Sequence, residues 1–265
     1  MKKPSKISPD KHFPPILKVV RLKECTSTND YIKENITALE NKSPLLVTAE
    51  NQTKGKGREN RKWHSFPGKG LYSSFLFRFP IETKINFLSL AAGIAAAESI
   101  NSLTGISPEL KWPNDIEFRG KKIGGILIEN LIGKDFINSI SGIGINISCS
   151  RNDFPAELSG SAISILEITG KKFALKNMNI KLSSSLLRWV TKLREGETET
   201  IMKKYSGYMK HKKGDEVTFH QTGENIKGHF AGLDKTGGII IRLSNGKLET
   251  FYSGEISTAT SQIIR

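Results

Sequence analysis

The sequence predicts an α+β protein followed, at its C-terminal end, by a small β domain. Strand-like apolar runs alternate with helical segments over most of the chain. Residues 85–103 are apolar on nearly all sides, which is typical of a helix buried in a core. Behind residues 212–215, short strand-like runs are separated by tight turns, and the turn at 244–246 contains Asn-Gly, a strong hairpin signal.

The length and composition are typical of a globular protein. With 265 residues and 37% hydrophobic content, the chain suits one large domain, or one domain with a small appendage. No apolar run reaches the roughly 20 residues that a membrane helix needs, and no apolar segment follows the first ten residues, as it would in a secretory signal. Cys25 and Cys149 are the only cysteines, which suits a reducing compartment. We therefore expect a cytoplasmic protein without a membrane partner.

The formal net charge of +14 leaves two explanations open. A basic protein can be a nucleic-acid binder. The lysines and arginines are scattered along this chain, however, and no RNA-binding aromatic motif or zinc-finger spacing accompanies them. A preference for anionic small-molecule substrates explains the same charge.

The N-terminal part is expected to contain a disordered lead, a strand and a helix. Residues 1–15 are predicted to be disordered and end in two prolines, and residues 16–22 are predicted to be a strand. Ser27, Thr28 and Asn29 then precede a predicted helix that extends to residue 39. Their side chains could cap this helix, or they could contact a polar ligand together with the free N–H groups of its first turn.

A basic, glycine-containing loop follows the predicted strand at residues 43–50. Residues 52–63 hold five cationic side chains and two glycines, which suit close wrapping of phosphate or carboxylate oxygens. A dinucleotide fingerprint fails because Asn60 stands where a third glycine is needed, and no Walker A sequence is present. Taken alone, the stretch could be a solvated surface loop. We interpret it as an anion-wrapping loop that becomes ordered when its ligand binds.

The middle of the chain places polar residues beside predicted strands. Residues 70–79 are predicted to be a strand. After the apolar helix, Pro113 blocks a regular helix and leaves Asn114 and Asp115 at the entrance of another strand. There these two residues could reach a ligand or a hydrated Mg²⁺, although a simple turn is the better explanation when they are taken alone.

The next two predicted strands contain glycines, which leave positions without side chains on their faces. A hairpin tip at residues 118–122 leads into a strand at 123–129, in which Gly124 and Gly125 indicate close approach of a ligand or a second backbone. Lys122, just before them, would point at that ligand. The strand predicted at residues 136–147 again carries glycines, and Asn146 lies near its end.

The last third of the chain is expected to contain two helices and the small β domain. Residues 150–170 are polar and irregular, and helices are predicted at 177–192 and 197–209. A boundary is predicted near residue 213. Beyond it, the pattern predicts strands at residues 216–220, 226–233, 238–243 and 247–252. Such short strands suit a small barrel-like domain.

Three blocks of the sequence together resemble the biotin protein ligase family. They are Ser27-Thr28-Asn29, the loop at residues 52–63, and Lys111-Trp112-Pro113-Asn114-Asp115 with Lys122-Ile123-Gly124-Gly125-Ile126-Leu127. The C-terminal segment resembles the SH3-like barrel of that family and contains Gly254-Glu255-Ile256-Ser257. The resemblance implies a mixed sheet packed with helices, in a class II synthetase-like catalytic domain at residues 16–212, and an SH3-like domain at residues 213–265.

The resemblance also implies an activity. The family joins biotin to ATP, which gives biotinyl-5′-AMP and pyrophosphate, and then transfers biotin to a lysine of a biotin carboxyl carrier protein of a biotin-dependent carboxylase. ATP, biotin and Mg²⁺ are the implied small molecules, and exposed sheet edges would permit a homodimer. Because the lead before residue 16 is too short for a helix-turn-helix domain, no DNA partner is expected. Lipoate and octanoyl ligases or transferases share the catalytic fold and are the alternative.

Site residues are implied position by position. Lys122, Arg58 and Asp115 are the expected catalytic residues, and Asp115 is the expected Mg²⁺ ligand. The residues expected to bind biotin are Ser27, Thr28, Asn29, Gln52, Gly55, Lys56, Gly57, Arg58, Trp63, Lys122, Gly124 and Gly125. Those expected to bind ATP or the adenylate are Arg58, Arg61, Lys111, Asn114, Lys122 and Asn146.

The basic loop departs from the usual family pattern Gly-Arg-Gly-Arg-Arg-Gly-Arg. Lys56 keeps a positive charge but lacks the planar fork of arginine. Glu59 adds a negative charge, and Asn60 replaces a glycine. We therefore expect this loop to retain an acyl-adenylate differently from a loop with the family pattern.

Overall fold

A mixed sheet forms the larger part of the molecule in the computed structural model, which describes residues 8–9, 12–221 and 224–258. Within these residues the larger sheet contains eight strands, in the order β1-β2-β3-β4-β8-β7-β6-β5. They are β1 (Ser8–Pro9), β2 (Lys18–Cys25), β3 (Leu45–Gln52), β4 (Gly70–Pro80), β5 (Glu109–Lys111), β6 (Asp115–Phe118), β7 (Lys121–Ile132) and β8 (Phe136–Asn146). Strands β2 and β3 are parallel and the other neighbours are antiparallel, so the predicted mixed sheet is confirmed.

Helices cover both faces of this sheet. They are α1 (Thr28–Glu34), α2 (Ile36–Leu39), α3 (Phe87–Thr104), α4 (Ile165–Thr169), α5 (Leu175–Arg194) and α6 (Thr198–Tyr208). Single-turn 3₁₀ helices lie at Glu40–Lys42, Arg58–Asn60, Arg151–Asp153 and Ala156–Leu158. Helix α4 and the last two 3₁₀ turns fall within residues 150–170, where we predicted irregular structure.

Successive side chains along a strand pack into different hydrophobic cores on the two faces of the sheet. In β4, Phe75 and Phe77 lie in the main core with α3 and α5, whereas Leu76 lies in a smaller core with Ile32 of α1. Successive side chains of a strand point to opposite faces, so one strand serves both cores. The sheet therefore packs against apolar cores on both sides.

Helix α3 is the central helix of the main core. It packs against α5 and α6 and against several strands of the sheet, and it ends at Gly105, whose φ of 77° permits the left-handed cap. Among the described helices, α3 is long and apolar enough to cross a membrane by length and composition, but 67% of it is buried inside the protein. Helix α3 is therefore a buried core helix, as the sequence predicted.

The C-terminal part is an antiparallel sheet of five strands within the described residues, in the order β12-β11-β10-β9-β13. They are β9 (Glu216–Gln221), β10 (Glu224–Leu233), β11 (Ile239–Leu243), β12 (Leu248–Phe251) and β13 (Glu255–Thr258). The predicted small β unit is therefore present, with one strand more than expected. Closure into a barrel and the exact domain boundaries remain predictions.

The structure differs from the predicted disordered lead at residues 1–15. Strand β1 pairs with Lys18 and Val19 of β2, and Phe13 is only 5% exposed and belongs to the main core. The apolar ring explains why the chain is anchored there, despite the prolines around it. Residues 1–7, 10 and 11 of the predicted lead lie outside the described residues.

Candidate active site

A cavity of about 540 Å³ opens where the basic loop, the glycine-rich strands β7 and β8 and the C-terminal sheet meet. It brings together residues from all three sequence blocks. Of the predicted site residues, those that line the cavity are Ser27, Thr28, Asn29, Gln52, Lys56, Gly57, Arg58, Arg61, Trp63, Lys111, Asn114, Asp115, Lys122, Gly125 and Asn146. Gly55 and Gly124 do not line it: Gly55 packs against the Trp63 backbone within the basic loop, and Gly124 packs against the Gly144 backbone of β8.

One end of the cavity is a buried polar network at the start of α1. Ser27, Thr28 and Asn29 are all at most 4% exposed. The backbone N–H of Thr28 donates to Oε1 of Gln52 over 2.8 Å, and its hydroxyl donates to the same oxygen over 3.1 Å. The hydroxyl of Ser74 lies 2.6 Å from both Oγ1 of Thr28 and Oδ1 of Asn29. Ser27 occupies the N-cap position without a side-chain capping bond, so helix capping does not explain these side chains.

The missing side chains of two glycines in β8 make room for functional groups. A Cβ atom at Gly142 would lie 2.5 Å from Oδ1 of Asn29, and one at Gly144 would lie 2.6 Å from Cε2 of Trp63. The side chains of Asn29 and Trp63 therefore fill the space beside β8. In β7, where the sequence predicted close approach of a ligand or a second backbone, a Cβ atom at Gly124 would lie 2.6 Å from the Gly144 carbonyl oxygen, so a second backbone does approach there. The indole N–H of Trp63 is buried and has no hydrogen-bond partner among the described residues.

The basic loop forms a short hairpin over the cavity. Gly57 N–H donates to the carbonyl of Arg61 over 2.7 Å, and Trp63 N–H donates to the carbonyl of Gly55 over 2.9 Å. A Cβ atom at Gly55 would lie 2.5 Å from the Trp63 carbonyl oxygen, so the hairpin can close only around a glycine. At its tip, Glu59 and Asn60 have left-handed φ angles of 53° and 59°. Asparagine tolerates this conformation better than most residues, which accounts for its presence where the family pattern has glycine.

Three cations of the loop connect it to different parts of the molecule. Nζ of Lys56 lies 2.7 Å from Oδ2 of Asp30 on α1. Nη1 of Arg58 donates to Oδ1 of Asn114 over 3.3 Å and to the Gly254 carbonyl over 3.2 Å. Arg61 forms an ion pair with Glu255 at the start of β13. The loop therefore contacts α1, the turn before β6 and the C-terminal sheet; its ordering by a ligand remains a prediction.

Asp30 is held in its charged form by two lysines. Burial disfavours the carboxylate, but hydrogen bonds from Lys33 and Lys56 outweigh burial and lower the pKa of Asp30 below its usual value. At neutral pH, the Lys56 ammonium therefore faces a full negative charge. The hydrogen-bond partners of Arg58, by contrast, are neutral groups, Asn114 and the Gly254 carbonyl, and the Glu59 carboxylate lies 4.0 Å from its Nη2.

Lys122 has a fixed backbone and an ion-paired side chain. Its N–H donates to the Ser161 carbonyl over 2.7 Å, and its own carbonyl accepts from Ile163 N–H over 3.0 Å. Nζ lies 2.6 Å from Oδ1 of Asp115 and 5.9 Å from the centre of the Trp63 ring. Asp115 begins β6, and Nδ2 of Asn114 donates to the Ile126 carbonyl over 3.0 Å. The role of these two residues at a phosphate stays a prediction.

Asn146 and several residues that the sequence reasoning missed line the same cavity. Nδ2 of Asn146, at the end of β8, donates to the Ile163 carbonyl over 3.3 Å. The missed lining residues that carry charge or can titrate are Lys62, His64, Tyr72, Glu117, Lys210 and Glu255. Glu117 could have been found from the sequence, because it lies two residues after Asp115 in a strand and so shares its face. Lys210 belongs to a basic run that we treated as scattered surface charge.

No group of three or more His, Cys, Asp or Glu side chains able to hold a metal ion occurs within the part of the chain that the structure describes. Asp115 is a single carboxylate beside Lys122. Mg²⁺ is commonly bound by one or two carboxylates together with substrate phosphates and water, rather than by a cage of protein ligands. Asp115 therefore suits an ion that arrives with a nucleotide, and does not suit one bound by protein alone.

Comparison with known sequences points to one family. Residues 22–146 match the biotin/lipoate A/B protein ligase family, and residues 214–258 match the biotin protein ligase C-terminal domain. The chain is 43% identical over 130 residues to the bifunctional ligase/repressor BirA of Bacillus subtilis, covering 48% of this chain and 40% of that protein. It is 34% identical over 130 residues to the biotin–[acetyl-CoA-carboxylase] ligase of Mycobacterium tuberculosis, covering 47% and 46%. The matched region thus spans less than half of these two relatives.

Solved structures give a match over nearly the whole chain. The biotin protein ligase of Aquifex aeolicus in complex with biotin and ATP superposes with a TM-score of 0.77 and 32% identity, covering 92% of this chain and 99% of that one. A point mutant of the same ligase, in complex with biotin, superposes with a TM-score of 0.76 and 33% identity, covering 92% and 98%. With both the larger sheet and the C-terminal sheet matched, the chain belongs to the biotin protein ligase family.

Proposed function

We propose that the protein activates biotin with ATP to form biotinyl-5′-AMP and pyrophosphate, and then transfers biotin to a lysine of a biotin carboxyl carrier protein. The observation that carries this proposal is the cavity, in which Lys122 and the basic loop face a buried polar end. The Aquifex aeolicus relative, covered over 99% of its length, is a biotin protein ligase in complex with biotin and ATP. Its ligands are those that such a cavity suits.

The buried polar end fits the ureido head of biotin. A ureido group has one carbonyl acceptor and two N–H donors, so its site must offer both donors and acceptors. Thr28, Asn29 and Gln52 supply hydroxyl and amide groups of both kinds within one network. Because these side chains are buried, a ligand with the wrong pattern would leave polar groups unpaired, which costs about 1–3 kcal/mol for each group. The site would therefore discriminate against lipoate, which lacks this head group.

Charge stabilisation is the main task in the activation step. The biotin carboxylate must approach the α-phosphate of ATP, and two anions repel each other unless cations lie beside both. Lys122 and Arg58 are the residues that would do this. In the structure Lys122 is neutralised by Asp115, so bound ligand oxygens would share or replace that carboxylate. Arg58 would exchange its neutral partners for anionic oxygens, which form stronger hydrogen bonds.

The transfer step needs the activated acyl group to be protected from water. The hairpin at residues 55–63 lies over the cavity and is fixed on both sides by its ion pairs. Such a cover would limit hydrolysis until the carrier lysine enters. The lysine amine would then attack the acyl carbon, and AMP would leave with the bonding electron pair.

Some finer points also belong to this proposal. Asp115 would bind Mg²⁺ together with phosphate oxygens, because a single carboxylate does not hold this ion by itself. The carrier protein and a cytoplasmic location follow from the family activity. The open edges of the larger sheet would permit a homodimer. The alternative is a lipoate or octanoyl ligase or transferase, and use of lipoate in place of biotin would distinguish it from a biotin ligase.

The first test is pyrophosphate release from ATP with biotin or lipoate as the acid. We expect release with biotin, followed by labelling of a biotin carboxyl carrier domain. Lys122→Ala should abolish the first step, because removal of one charge-stabilising donor costs about 3–4 kcal/mol of barrier. Lys203→Ala, which alters an exposed lysine of α6, is the matched control. Release with lipoate only, or near-normal adenylate formation by the Lys122 variant, would overturn the assignment.

A further inference from the structure

A row of alternating charges crosses four neighbouring segments on the cavity side of the larger sheet. Asp115 and Glu117 lie two residues apart in β6, so their side chains share one face. Lys122 of β7 is bonded to Asp115 over 2.6 Å. Nζ of Lys111 in β5 lies 3.8 Å from Oε1 of Glu117, and Nζ of Lys210 lies 2.5 Å from its Oε2.

Lys210 is held in this row by its backbone. It follows α6 in the segment that leads to the C-terminal sheet. Met209 forms an isolated parallel bridge with Leu110, and Lys210 N–H donates to the Leu110 carbonyl over 2.9 Å. The segment therefore continues the sheet beyond β5, and the Lys210 side chain projects from a fixed position.

The row carries more positive than negative charge. Among the side chains of the row that line the cavity, three ammonium groups face two carboxylates; Glu109, opposite Glu117 in β5, does not line it. Glu117 is 5% exposed as a residue, while the side chains of Lys111 and Lys210 are only 17% and 21% exposed. A partly desolvated excess of positive charge is unfavourable unless an anion balances it. The same three lysines line the cavity, so that anion would lie inside it.

The dimensions of the row suit an extended anion. Neighbouring strands lie roughly 4.8 Å apart, so the backbones of β7 and the Lys210 segment are separated by roughly 14 Å across three spacings. Lysine side chains reach inward from both ends. A single phosphate or carboxylate could contact only one end of such a row. A chain of linked phosphates could contact all of it.

We propose that Lys210, together with Lys111, binds the β- and γ-phosphates of ATP and then the pyrophosphate product. This inference rests on the proposed ligase function, in which Lys122 lies at the α-phosphate. Glu117 holds the two ammonium groups side by side. The segment between α6 and the C-terminal sheet thereby contributes directly to nucleotide binding, at the leaving-group end of the reaction.

The test separates the nucleotide from the other substrates. Lys210→Met keeps the length and packing of the side chain but removes its charge. We expect KM for ATP and the inhibition constant of pyrophosphate each to rise roughly tenfold, as for the loss of one charge-assisted hydrogen bond. KM for biotin, and the rate of transfer from prepared biotinyl-5′-AMP to a carrier domain, should stay within about twofold, since neither involves those phosphates. Lys210→Arg should recover most of the ATP affinity, and Lys203→Ala should change none of the four quantities.

Two results would overturn the assignment. One is an unchanged KM for ATP together with unchanged pyrophosphate inhibition. The other is an equal loss in all four quantities with a lowered melting temperature, which would mean that Lys210 only supports the fold. If the wild type releases no pyrophosphate with biotin, the ligase function fails instead. Calorimetric titration of wild type and Lys210→Met with pyrophosphate then decides: weaker binding by the variant supports the site, and equal binding removes it.

Discussion

At the scale of single residues, the site depends on positions where a side chain is absent. Asn29 and Ser74 meet in the space left by Gly142, and Trp63 occupies the space left by Gly144. A glycine in a strand usually weakens it. In this chain the cost is offset by the buried polar network, which needs Asn29 against the sheet.

Gly142→Ala should weaken biotin binding. The new Cβ atom would lie 2.5 Å from Oδ1 of Asn29, so Asn29 must move and its contact with Ser74 must break. We expect the Kd for biotin, measured by calorimetry, to rise roughly tenfold or more, and the free energy of unfolding to fall by about 1–3 kcal/mol. Gly207→Ala is the control because no atom lies within 4 Å of its added Cβ. An unchanged biotin Kd in the Gly142 variant would contradict this role of Asn29.

At the scale of elements, the sequence predicted strands that have a clear apolar pattern or a marked end. Strand β4 was expected at residues 70–79 and is found at Gly70–Pro80, because eleven residues give a clear apolar pattern. The four-residue strands β6 and β12 were also expected, because Pro113 and the Asn-Gly turn mark where they begin. Strands β5 and β13, of three and four residues, were not predicted, because too few side chains alternate in them to give a signal. Their existence depends on neighbouring strands that supply hydrogen-bond partners.

The same limit applies to the site. Residues that are adjacent in sequence, such as Ser27 to Asn29, could be recognised as a group. The pairs Lys210–Glu117 and Arg61–Glu255 join residues separated by 93 and 194 positions. Only the packing of α6 and of the C-terminal sheet against the larger sheet brings these charges together. Local patterns in a single sequence do not contain that information.

The basic loop gives a prediction at the scale of an element. Gly55→Ala would place a Cβ atom 2.5 Å from the Trp63 carbonyl oxygen, which prevents the hairpin from closing. Biotinyl-5′-AMP should then dissociate roughly tenfold faster, the equivalent of ~1.4 kcal/mol, as measured by rapid dilution of the preformed complex. Gly57→Ala should have a smaller effect, because its nearest neighbouring atom would be 3.4 Å away. Equal dissociation rates in the wild type and the Gly55 variant would show that the hairpin does not retain the intermediate.

At the scale of the whole molecule, the two sheets act as one unit. The indole N–H of Trp112, next to the cavity residue Lys111, donates to the Gly237 carbonyl over 3.2 Å, and its ring packs against Phe219 of β9. Arg58 and Arg61 of the basic loop also contact the C-terminal sheet. A change in the position of that sheet would therefore affect the loop, the lysine row and the turn before β6 together. We infer that the C-terminal sheet helps to shape the cavity.

His211 is a buried titratable group at the junction between these two sheets. It is 1% exposed, and neither ring nitrogen has a hydrogen-bond partner among the described residues. Its ring lies 6.4 Å from that of Phe230 in β10. Burial, followed by the charges of Lys210 and Lys111, lowers the pKa of His211 to about 4, although Asp215 opposes the shift. The His211 imidazole is therefore neutral in the folded protein at pH values above about 4.

This lowered pKa predicts that stability falls on mild acidification. The unfolded chain takes up a proton at His211 near its ordinary pKa of 6.5, whereas the folded protein does so only near pH 4. The part of the free energy of unfolding that depends on neutral His211 is thus fully present above about pH 6.5, and it is lost as the pH falls towards about 4. His64, whose pKa is also lowered by burial and by Lys62, adds a change of the same sign. The lowered pKa values of Asp30, Glu98 and Asp153 act mainly below this window, because their ordinary values are 3.8 to 4.5.

Urea unfolding at pH 7.5 and pH 5.0 would measure this loss directly. In the wild type, the free energy of unfolding should be lower at pH 5.0. His211→Leu fills the same apolar site without a titratable group, so the difference between the two pH values should shrink markedly in this variant. His220→Gln is the matched control: His220 is hydrogen-bonded to Asn225 and Ser257, and its replacement should leave the pH dependence in place. An equal pH dependence in the wild type and in His211→Leu would exclude this histidine as the cause.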